Sequence, residues 1–147
     1  MEHPATLQIY LAHEDAQMPT KSNPTDSGFD LYACEGGAIG PMSWGVVPTG
    51  IHLGIESGFE VQIRSRSGLA AKQGVFVMNA PGTVDQDYTG EIRVILLNFG
   101  TQPFRYKVGD RIAQMVPFKL DKIFLAQVED KPENESRGDA GFGSTGR

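Results

Sequence analysis

Short runs in which apolar and polar residues alternate recur along this chain, and they constrain its fold more than any other feature. The runs cover positions 7–11, 51–55, 59–63 and 104–108. Alternation with a period of two gives a strand one apolar and one polar face, which is typical of antiparallel β-strands. Two denser apolar runs, 75–78 and 92–97, are predicted to be buried on both faces. Such burial is expected in a barrel, a sandwich or a subunit interface.

Turn-forming residues separate these runs and leave room for one short helix. The turn signals are Asn23-Pro24, Gly36-Gly37, Gly40-Pro41, Ser57-Gly58, Pro81-Gly82 and Gly109-Asp110. Ser67 is predicted to cap a helix over 69–73, which Gly74 ends in the left-handed conformation. With 147 residues, 18 glycines and 9 prolines, the chain is predicted to be one all-β domain with one short helix.

Charge and composition exclude several classes of protein. The formal net charge is −5 and no block of Lys and Arg is present, so binding of long nucleic acid by counterion release is not expected. A small anionic ligand stays open, because a few local donors can hold it. No apolar stretch approaches the roughly 20 residues that span a bilayer, and the first residues, MEHPATLQ, do not resemble a signal peptide. We therefore expect no membrane contact and a cytoplasmic location, with a nuclear or viral context left open.

The remaining metal-binding and reactive residue types give no signal of their own. Cys34 is the one cysteine, so it is predicted to be a small buried apolar residue and not a nucleophile. His3, His13 and His52 lack the spacing of metal ligands and are interpreted as ordinary. Trp44 lies in a turn-rich stretch and is predicted to anchor a loop or an interface.

The C-terminal residues 130–147 differ from the rest of the chain. Polar residues lead into a glycine-rich segment that cannot hold a packed core, so residues 1–129 are predicted to form the β domain and 130–147 a flexible arm. A plain disordered tail is one interpretation. The other is a closure over phosphates, in which glycines expose N–H groups, hydroxyls donate and an arginine binds bidentately. The candidate residues are Arg137, Phe142, Gly143, Ser144 and Thr145.

The segment 64–70 is the first candidate site. It places two arginines and two serines at the end of a strand, directly before the predicted helix. The first N–H groups of a helix and its partial positive charge attract anions, and Arg66 and Ser67 are the natural donors. The alternative is a surface loop with a serine cap.

The segment 79–88 is the second candidate site. Pro81-Gly82 predicts a tight turn, which makes a hairpin of 75–78 and 83–84 plausible, and Asp85, Asp87 and Tyr88 follow. An acidic pair near an anion site suggests a base that activates water, with a divalent metal close by. The alternative is an acidic turn on the surface.

Two further positions carry weaker signals. Asp30 begins an otherwise apolar strand, where a buried charge must be paired or must bind metal. Gln114 can point a neutral donor into a cleft. Asp110 and Arg111 just before it are interpreted as a structural pair.

Taken in order, five blocks of this sequence resemble the five motifs of the trimeric dUTPase family. The blocks are DSGFDLYA, RSRSGLAAKQGV, NAPGTVDQDYTGEI, GDRIAQMV and RGDAGFGSTG, spread over residues 26–146. The resemblance implies a distorted jelly-roll-like β-barrel and a homotrimer whose active sites each draw on three chains. It also implies Mg²⁺-dependent hydrolysis of dUTP to dUMP and pyrophosphate. That reaction keeps uracil out of DNA and supplies dUMP for thymidylate synthesis.

The resemblance also implies a role for each matching residue. Asp85 falls at the position of the base that activates water, and Asp30 at that of the carboxylate that holds a Mg²⁺-bound water. Tyr88 matches the ring that packs on deoxyribose. The uracil-reading element corresponds to Asn79, Gly82, Thr83 and Val84. The phosphate binders correspond to Arg66, Ser67, Gly68 and Gln114. The arm that closes the site corresponds to Arg137, Phe142, Gly143, Ser144 and Thr145.

Two departures from the family pattern and two rival functions stay open. Ser65 stands where the family often has proline, which is expected to loosen the loop slightly, and Thr89 stands where arginine is frequent. A dCTP deaminase of the same fold is the nearest rival function. A regulatory binding protein is the second.

Overall fold

The computed structural model describes residues 4–133 and residue 138. Within these residues the chain forms ten strands and one helix. Their bounds, in chain order, are β1 Gln8–Leu11, β2 Phe29–Tyr32, β3 Gly37–Ile39, β4 Ser43–Gly54, β5 Phe59–Arg64, α1 Ser67–Gln73, β6 Val75–Val77, β7 Gly82–Val84, β8 Glu91–Asn98, β9 Phe104–Tyr106 and β10 Arg111–Lys119.

Two four-stranded antiparallel sheets enclose the hydrophobic core. Their strand orders are β1-β4-β8-β6 and β2-β10-β5-β7, and β3 and β9 form a small third sheet. Val47 and Leu96 from the first sheet join Val61 and Met115 from the second in one buried cluster. The all-β prediction with one short helix is therefore confirmed.

The alternating runs form strands as predicted, with differences at their ends. In β5, Val61 and Ile63 are buried, while Gln62 between them and Glu60 and Arg64 on either side are partly exposed. Val108 lies beyond β9 and is 42% exposed, so the last run is shorter than its pattern indicates. Trp44 lies inside β4, where its side chain is 61% exposed, and not in a turn.

The two denser runs are buried on one face only within a single chain. In β8, Leu96 and its alternate neighbours are buried, whereas Ile95 and Leu97 on the other face are half-buried. Met78, next to β6, is 42% exposed. Burial of both faces is therefore not reached in one chain, and the second face is an apolar surface.

The helix is placed as predicted but begins differently. Arg66 is its N-cap residue, with extended dihedrals and no side-chain capping bond, and Ser67 is the first helical residue. The predicted Ser67 cap is therefore wrong. Gly74 ends the helix with φ of 67°, as predicted, and its N–H donates to the carbonyl of Ala70.

The predicted hairpin across Pro81-Gly82 is also wrong. β6 pairs with β8 in the first sheet, whereas β7 pairs with β5 in the second, with Gly82 opposite Ile63. The turn therefore connects two sheets, and β7 is the last strand of its sheet. A local turn signal marks the reversal of the chain but not the strand that each arm pairs with.

Within the part of the chain that the structure describes, no helix combines the length and the apolar character that crossing a bilayer requires.

Candidate active site

The structure gathers the candidate residues into two separate clefts. The β7 cleft, about 210 Å³ in volume, is lined by Asn79, Gly82, Thr83, Val84, Asp85 and Tyr88, together with residues of β5, β6 and β8. The β10 cleft, about 280 Å³ in volume, is lined by Asp30, Arg66, Ser67, Gly68 and Gln114, together with Ser22, Asp26, Ser27 and Gly28. The two clefts have no lining residue in common.

Strand β7 and the turn after it build the β7 cleft. Gly82 and Val84 are buried and Thr83 is exposed, and Asp85 follows directly on the exposed side. The carbonyl of Asp85 accepts the N–H of Tyr88 at 3.1 Å, which closes a turn. The carboxylate of Asp85 therefore stands at the end of a paired strand, on a backbone that is fixed on both sides.

The ring of Tyr88 is held in place at the mouth of the β7 cleft. Its hydroxyl donates to the carbonyl of Glu91 at 3.0 Å, while the side chain as a whole is 46% exposed. A Cβ at Gly90 would lie 2.6 Å from this hydroxyl, so the glycine leaves room for the ring. Nearly half of the Tyr88 side chain is therefore accessible to a ligand.

Only one of the two predicted carboxylates of this segment belongs to the cleft. Asp85 lines it and Asp87 does not. Gln86, between them, turns outward, and its Oε1 accepts the N–H of Gly58 at 2.9 Å. Asp85 and Asp87 therefore do not form an acidic pair in the cleft, and Asp85 is its single aspartate.

An ion pair lies at the centre of the β10 cleft. The Nε of Arg66 donates to Oδ1 of Asp30 at 3.0 Å, and the Asp30 side chain is 15% exposed. A nitrogen of Arg111 lies 3.8 Å from the other carboxylate oxygen. The buried carboxylate of Asp30 is thus paired with arginines in this structure, which is one of the two outcomes expected for a buried charge.

The predicted pair of Asp110 and Arg111 is not formed. Oδ2 of Asp110 accepts the backbone N–H of Lys107 at 2.9 Å, while Arg111 faces Asp30. Asp110 lies in the segment just before β10, whereas Arg111 is the first residue of that strand, so the two side chains have different partners.

Gln114 connects three parts of the β10 cleft. It lies opposite Asp30 in the pairing of β10 with β2, and its Nε2 donates to the carbonyl of Ser65 at 2.9 Å. A Cβ at Gly28 would lie 2.1 Å from its Oε1. Glycine at position 28 is therefore required for this orientation of the Gln114 side chain.

The first turn of α1 supplies the remaining donors of the β10 cleft. Ser67 and Gly68 are both exposed, and no atom lies within 4 Å of a Cβ built at Gly68. Their backbone N–H groups belong to the start of the helix, where N–H groups lack intrahelical acceptors. Together with Arg66 they give the cleft a set of donors suited to an oxyanion.

Ser65 has a role that the sequence did not indicate, and several lining residues carried no sequence signal of their own. The hydroxyl of Ser65 accepts the N–H of Val77 at 2.9 Å, so this residue ties the loop to β6 and does not loosen it. Asp26 and Ser27 line the β10 cleft although only their place in the first sequence block marked them. Glu91 and Arg93 line the β7 cleft, and nothing in their alternating strand pattern indicated this.

The described residues do not form a complete metal site by themselves. No group of three His, Cys, Asp or Glu side chains comes together between residues 4 and 133. Mg²⁺ commonly uses one or two carboxylates and completes its octahedron with water and substrate phosphates. A single carboxylate such as Asp30 fits that pattern only if phosphate oxygens complete the site.

Cys34 is buried, as predicted, and two of the histidines make local hydrogen bonds. Cys34 is 1% exposed, and burial raises the pKa of its thiol above the ordinary value, which keeps it protonated. Nδ1 of His13 accepts the N–H of Asp15 at 3.1 Å, and Nδ1 of His52 donates to the carbonyl of Thr89 at 2.8 Å. His3 lies outside the described residues.

Comparison with known proteins identifies the family of the chain that forms these two clefts. The family model for dUTPase matches residues 14–146. The chain belongs to the dUTPase family. A curated deoxyuridine 5′-triphosphate nucleotidohydrolase of Wolinella succinogenes is 46% identical over 141 residues, which are 96% of this chain and 94% of that protein. The protein of the same name from Helicobacter pylori strain P12 is 49% identical over 140 residues, which are 95% of this chain and 96% of that one.

Solved dUTPase structures have the same fold. The dUTPase of Staphylococcus bacteriophage 80alpha with dUPNHPP is 27% identical and aligns with a TM-score of 0.88, covering 97% of this chain and 99% of that one. The jelly-roll-like β fold expected from the resemblance is therefore confirmed. The five arm residues of the fifth dUTPase block, Arg137, Phe142, Gly143, Ser144 and Thr145, lie outside the described residues.

Proposed function

We propose that this protein hydrolyses dUTP to dUMP and pyrophosphate, by attack of water on the α-phosphorus. One observation carries the proposal: the exposed carboxylate of Asp85 stands in the same cleft as an open strand edge and an accessible tyrosine ring. A base, a hydrogen-bonding edge and a sugar-sized aromatic surface are what this reaction on a deoxyuridine nucleotide requires. Membership of the dUTPase family supports the same activity.

The edge of β7 would read the base. β7 is the last strand in its sheet, so one side of its backbone offers N–H and C=O groups that no neighbouring strand uses. Uracil presents acceptor, donor and acceptor groups in a row, which such an edge matches together with the amide of Asn79. Cytosine inverts part of this pattern and would leave buried polar groups unpaired, which is the strongest basis for rejection.

Tyr88 would select the sugar. Its hydroxyl is engaged with the carbonyl of Glu91, which restrains the ring against moving aside. We propose that it packs against C2′ of the deoxyribose and leaves no space for a 2′-hydroxyl. UTP would then be rejected because its 2′-hydroxyl clashes with the ring, and not because a hydrogen bond is lost.

Asp85 would act as the general base. Its carboxylate is exposed, on a fixed backbone turn, and can orient a water and accept its proton as the oxygen attacks phosphorus. Pyrophosphate leaves from the opposite side of the α-phosphorus. The protein's part is mainly positioning and stabilisation of charge, as in other phosphoryl transfers.

The β10 cleft would hold the triphosphate. Arg66, Ser67, Gly68 and Gln114 supply donors along one wall. When bound, Mg²⁺ neutralises the phosphate charge and orients the leaving group, and Asp30 is the carboxylate that would hold one of its waters. Because Asp30 is paired with Arg66 in this structure, binding would exchange part of that pair for contacts with phosphate and metal-bound water.

A homotrimer is part of the proposal, because the two clefts are separate in one chain. The base and the triphosphate of one nucleotide would then be held by different copies. Two apolar surfaces support association: the outer face of the first sheet, with Trp44 61% and Val46 44% exposed, and the segment after β10, with Leu125 98% exposed. We further propose that residues 130–147 form the arm that closes each site. Light scattering coupled to size-exclusion chromatography tests the trimer, and a monomer would contradict it.

Pyrophosphate release, measured with dUTP, dTTP, dCTP and UTP in the presence of magnesium, tests the activity. We expect release from dUTP only, and loss of release when EDTA removes the metal. The dCTP reaction is also assayed for ammonia, because a dCTP deaminase has the same fold. Ammonia from dCTP without pyrophosphate from dUTP would replace our proposal with that rival.

A further inference from the structure

Ser65 contacts the elements that build both clefts. It is one of two residues between β5 and α1. Its Oγ accepts the N–H of Val77 at 2.9 Å, and its carbonyl oxygen accepts an Nε2 hydrogen of Gln114 at 2.9 Å. Val77 lines the β7 cleft, whereas Gln114 lines the β10 cleft. One half-buried serine therefore holds a lining residue of each cleft.

The N–H of Val77 depends on this hydroxyl because its sheet offers no other acceptor. β6 is the last strand in the order β1-β4-β8-β6. The N–H of Met78 donates to Ile95 of β8 at 2.8 Å, and successive N–H groups of a strand point to opposite sides. The N–H of Val77 therefore points away from β8. Val77 is 2% exposed, so bulk water is a poor substitute for the hydroxyl.

The bond from Ser65 to Val77 also fixes the start of the turn that carries Asn79. The carbonyl of Val77 accepts the N–H of Ala80 at 3.2 Å, and Asn79 lies inside that turn. On its other side, Ser65 directly precedes Arg66. A shift of Ser65 relative to Val77 would therefore move a proposed uracil-reading side chain and a proposed phosphate-binding side chain together.

We propose that Ser65 is a positioning residue for nucleotide binding, whose hydroxyl fixes the segment of Arg66 against the strand that leads to Asn79, so that one serine acts on both of the sites to which its chain contributes. The inference rests on the proposed hydrolysis of dUTP. Ser65 reaches neither cleft lining itself, and it acts through groups that bind the ground state. Its loss therefore weakens substrate binding and leaves the chemical step at Asp85 largely intact.

Two variants of nearly equal shape test this role in the full-length protein. Ser65→Thr keeps the hydroxyl, and Ser65→Val replaces it with a methyl group. We expect Ser65→Thr to stay within about twofold of the wild-type KM for dUTP, and Ser65→Val to raise KM about tenfold with kcat changed less than about twofold. Ser65→Ala is expected to repeat the result of Ser65→Val without the added methyl groups. Ser57→Ala, in an exposed turn, is the control and is expected to behave as the wild type.

Hydrogen exchange of the Val77 amide gives a second measurement that does not depend on turnover. The amide is expected to be protected in the wild type and in Ser65→Thr, and to exchange faster in Ser65→Val and Ser65→Ala. Equal KM values for the Thr and Val variants overturn the inference, and so does unchanged protection of Val77. If the wild type itself fails to hydrolyse dUTP, the proposed function is wrong. The exchange experiment still tests the bond from Ser65 to Val77 in that case, because it does not require turnover. If Ser65→Val does not fold, the comparison of Ser65→Ala with Ser65→Thr decides.

Discussion

The β7 cleft and the β10 cleft are built on different principles. The first consists largely of backbone: a terminal strand, the turn after it and a ring held by one hydrogen bond. The second consists of side chains from three distant segments that already bind one another, with Asp30 paired to Arg66 and Gln114 bonded to Ser65. A backbone edge is rigid before a ligand arrives, whereas a paired network must exchange partners to bind one.

This difference suits the two parts of a nucleotide. A base is flat and nearly neutral, and it is discriminated best by a fixed pattern of donors and acceptors. A triphosphate with its metal is highly charged, and unpaired cations awaiting it would repel one another. Asp30 of the β10 cleft lies between Arg66 and Arg111, and its single negative charge offsets part of their positive charge. We therefore expect substitutions in the β7 cleft to affect selectivity and the chemical step, and substitutions in the β10 cleft to affect affinity for the nucleotide.

Asp85→Asn is expected to give the largest effect, because it removes the proposed base and leaves the backbone of the β7 cleft unchanged. We expect kcat to fall about 100-fold to 10,000-fold, with dUTP affinity, measured by calorimetry, changed little. Asp87→Asn is the matched control, since that carboxylate lies outside the cleft. Near-normal turnover in Asp85→Asn would show that Asp85 is not the base and that the chemical step does not depend on the β7 cleft.

Truncation after Asp130 tests whether both clefts need the proposed arm. The buried core cluster contains no residue beyond Met115, so the β domain is expected to keep its melting temperature. Activity is expected to fall about 100-fold, because a lid that excludes water and adds phosphate donors is lost. Full activity of the truncated protein would show that the two clefts suffice by themselves.

The β7 cleft was the easier of the two to predict from sequence. Its proposed functional residues lie in one block of ten, 79–88, so local turn chemistry and residue type were enough to bring Asn79, Asp85 and Tyr88 together. What failed there was the partner of each strand. Pro81-Gly82 marks a reversal, but β6 and β7 belong to different sheets, which depends on packing of the whole chain.

The β10 cleft depends on long-range register, which local patterns do not encode. Gln114 lies opposite both Asp30 of β2 and Arg64 of β5, and a shift of one residue would turn its side chain to the other face. The sequence marked Asp30, Arg66 and Gln114 one by one, yet it did not predict the Asp30–Arg66 pair. It also named Ser67 as the cap where Arg66 takes that position, because residue preference favours serine at an N-cap, whereas the extended dihedral angles of Arg66 decide where this helix begins.

Arg66→Ala tests the phosphate role of the β10 cleft. Loss of a charge-assisted contact is expected to raise KM for dUTP about 20-fold with a smaller change in kcat. Arg66→Lys keeps the charge but loses the Nε donor to Asp30 and the planar fork, so an intermediate KM is expected. Arg105→Ala, at an exposed position of β9, serves as the control. A fall in kcat without a rise in KM would contradict the division of roles between the clefts.

Gly28→Ala is expected to give the smallest effect, because it disturbs the β10 cleft through a single neighbour. The added Cβ would lie 2.1 Å from Oε1 of Gln114, and this flexible side chain has to move, which breaks its bond to the carbonyl of Ser65. We expect KM for dUTP to rise about fivefold and selectivity among bases to stay unchanged, since the β7 edge is not touched. Gly40→Ala is the control, because its nearest neighbour, Oγ of Ser43, lies 4.0 Å away. A change in the ratio of dUTP to dCTP turnover in Gly28→Ala would contradict the expected confinement of the effect to the β10 cleft, and it would show that a disturbance at Gln114 reaches the β7 edge through Ser65 and Val77.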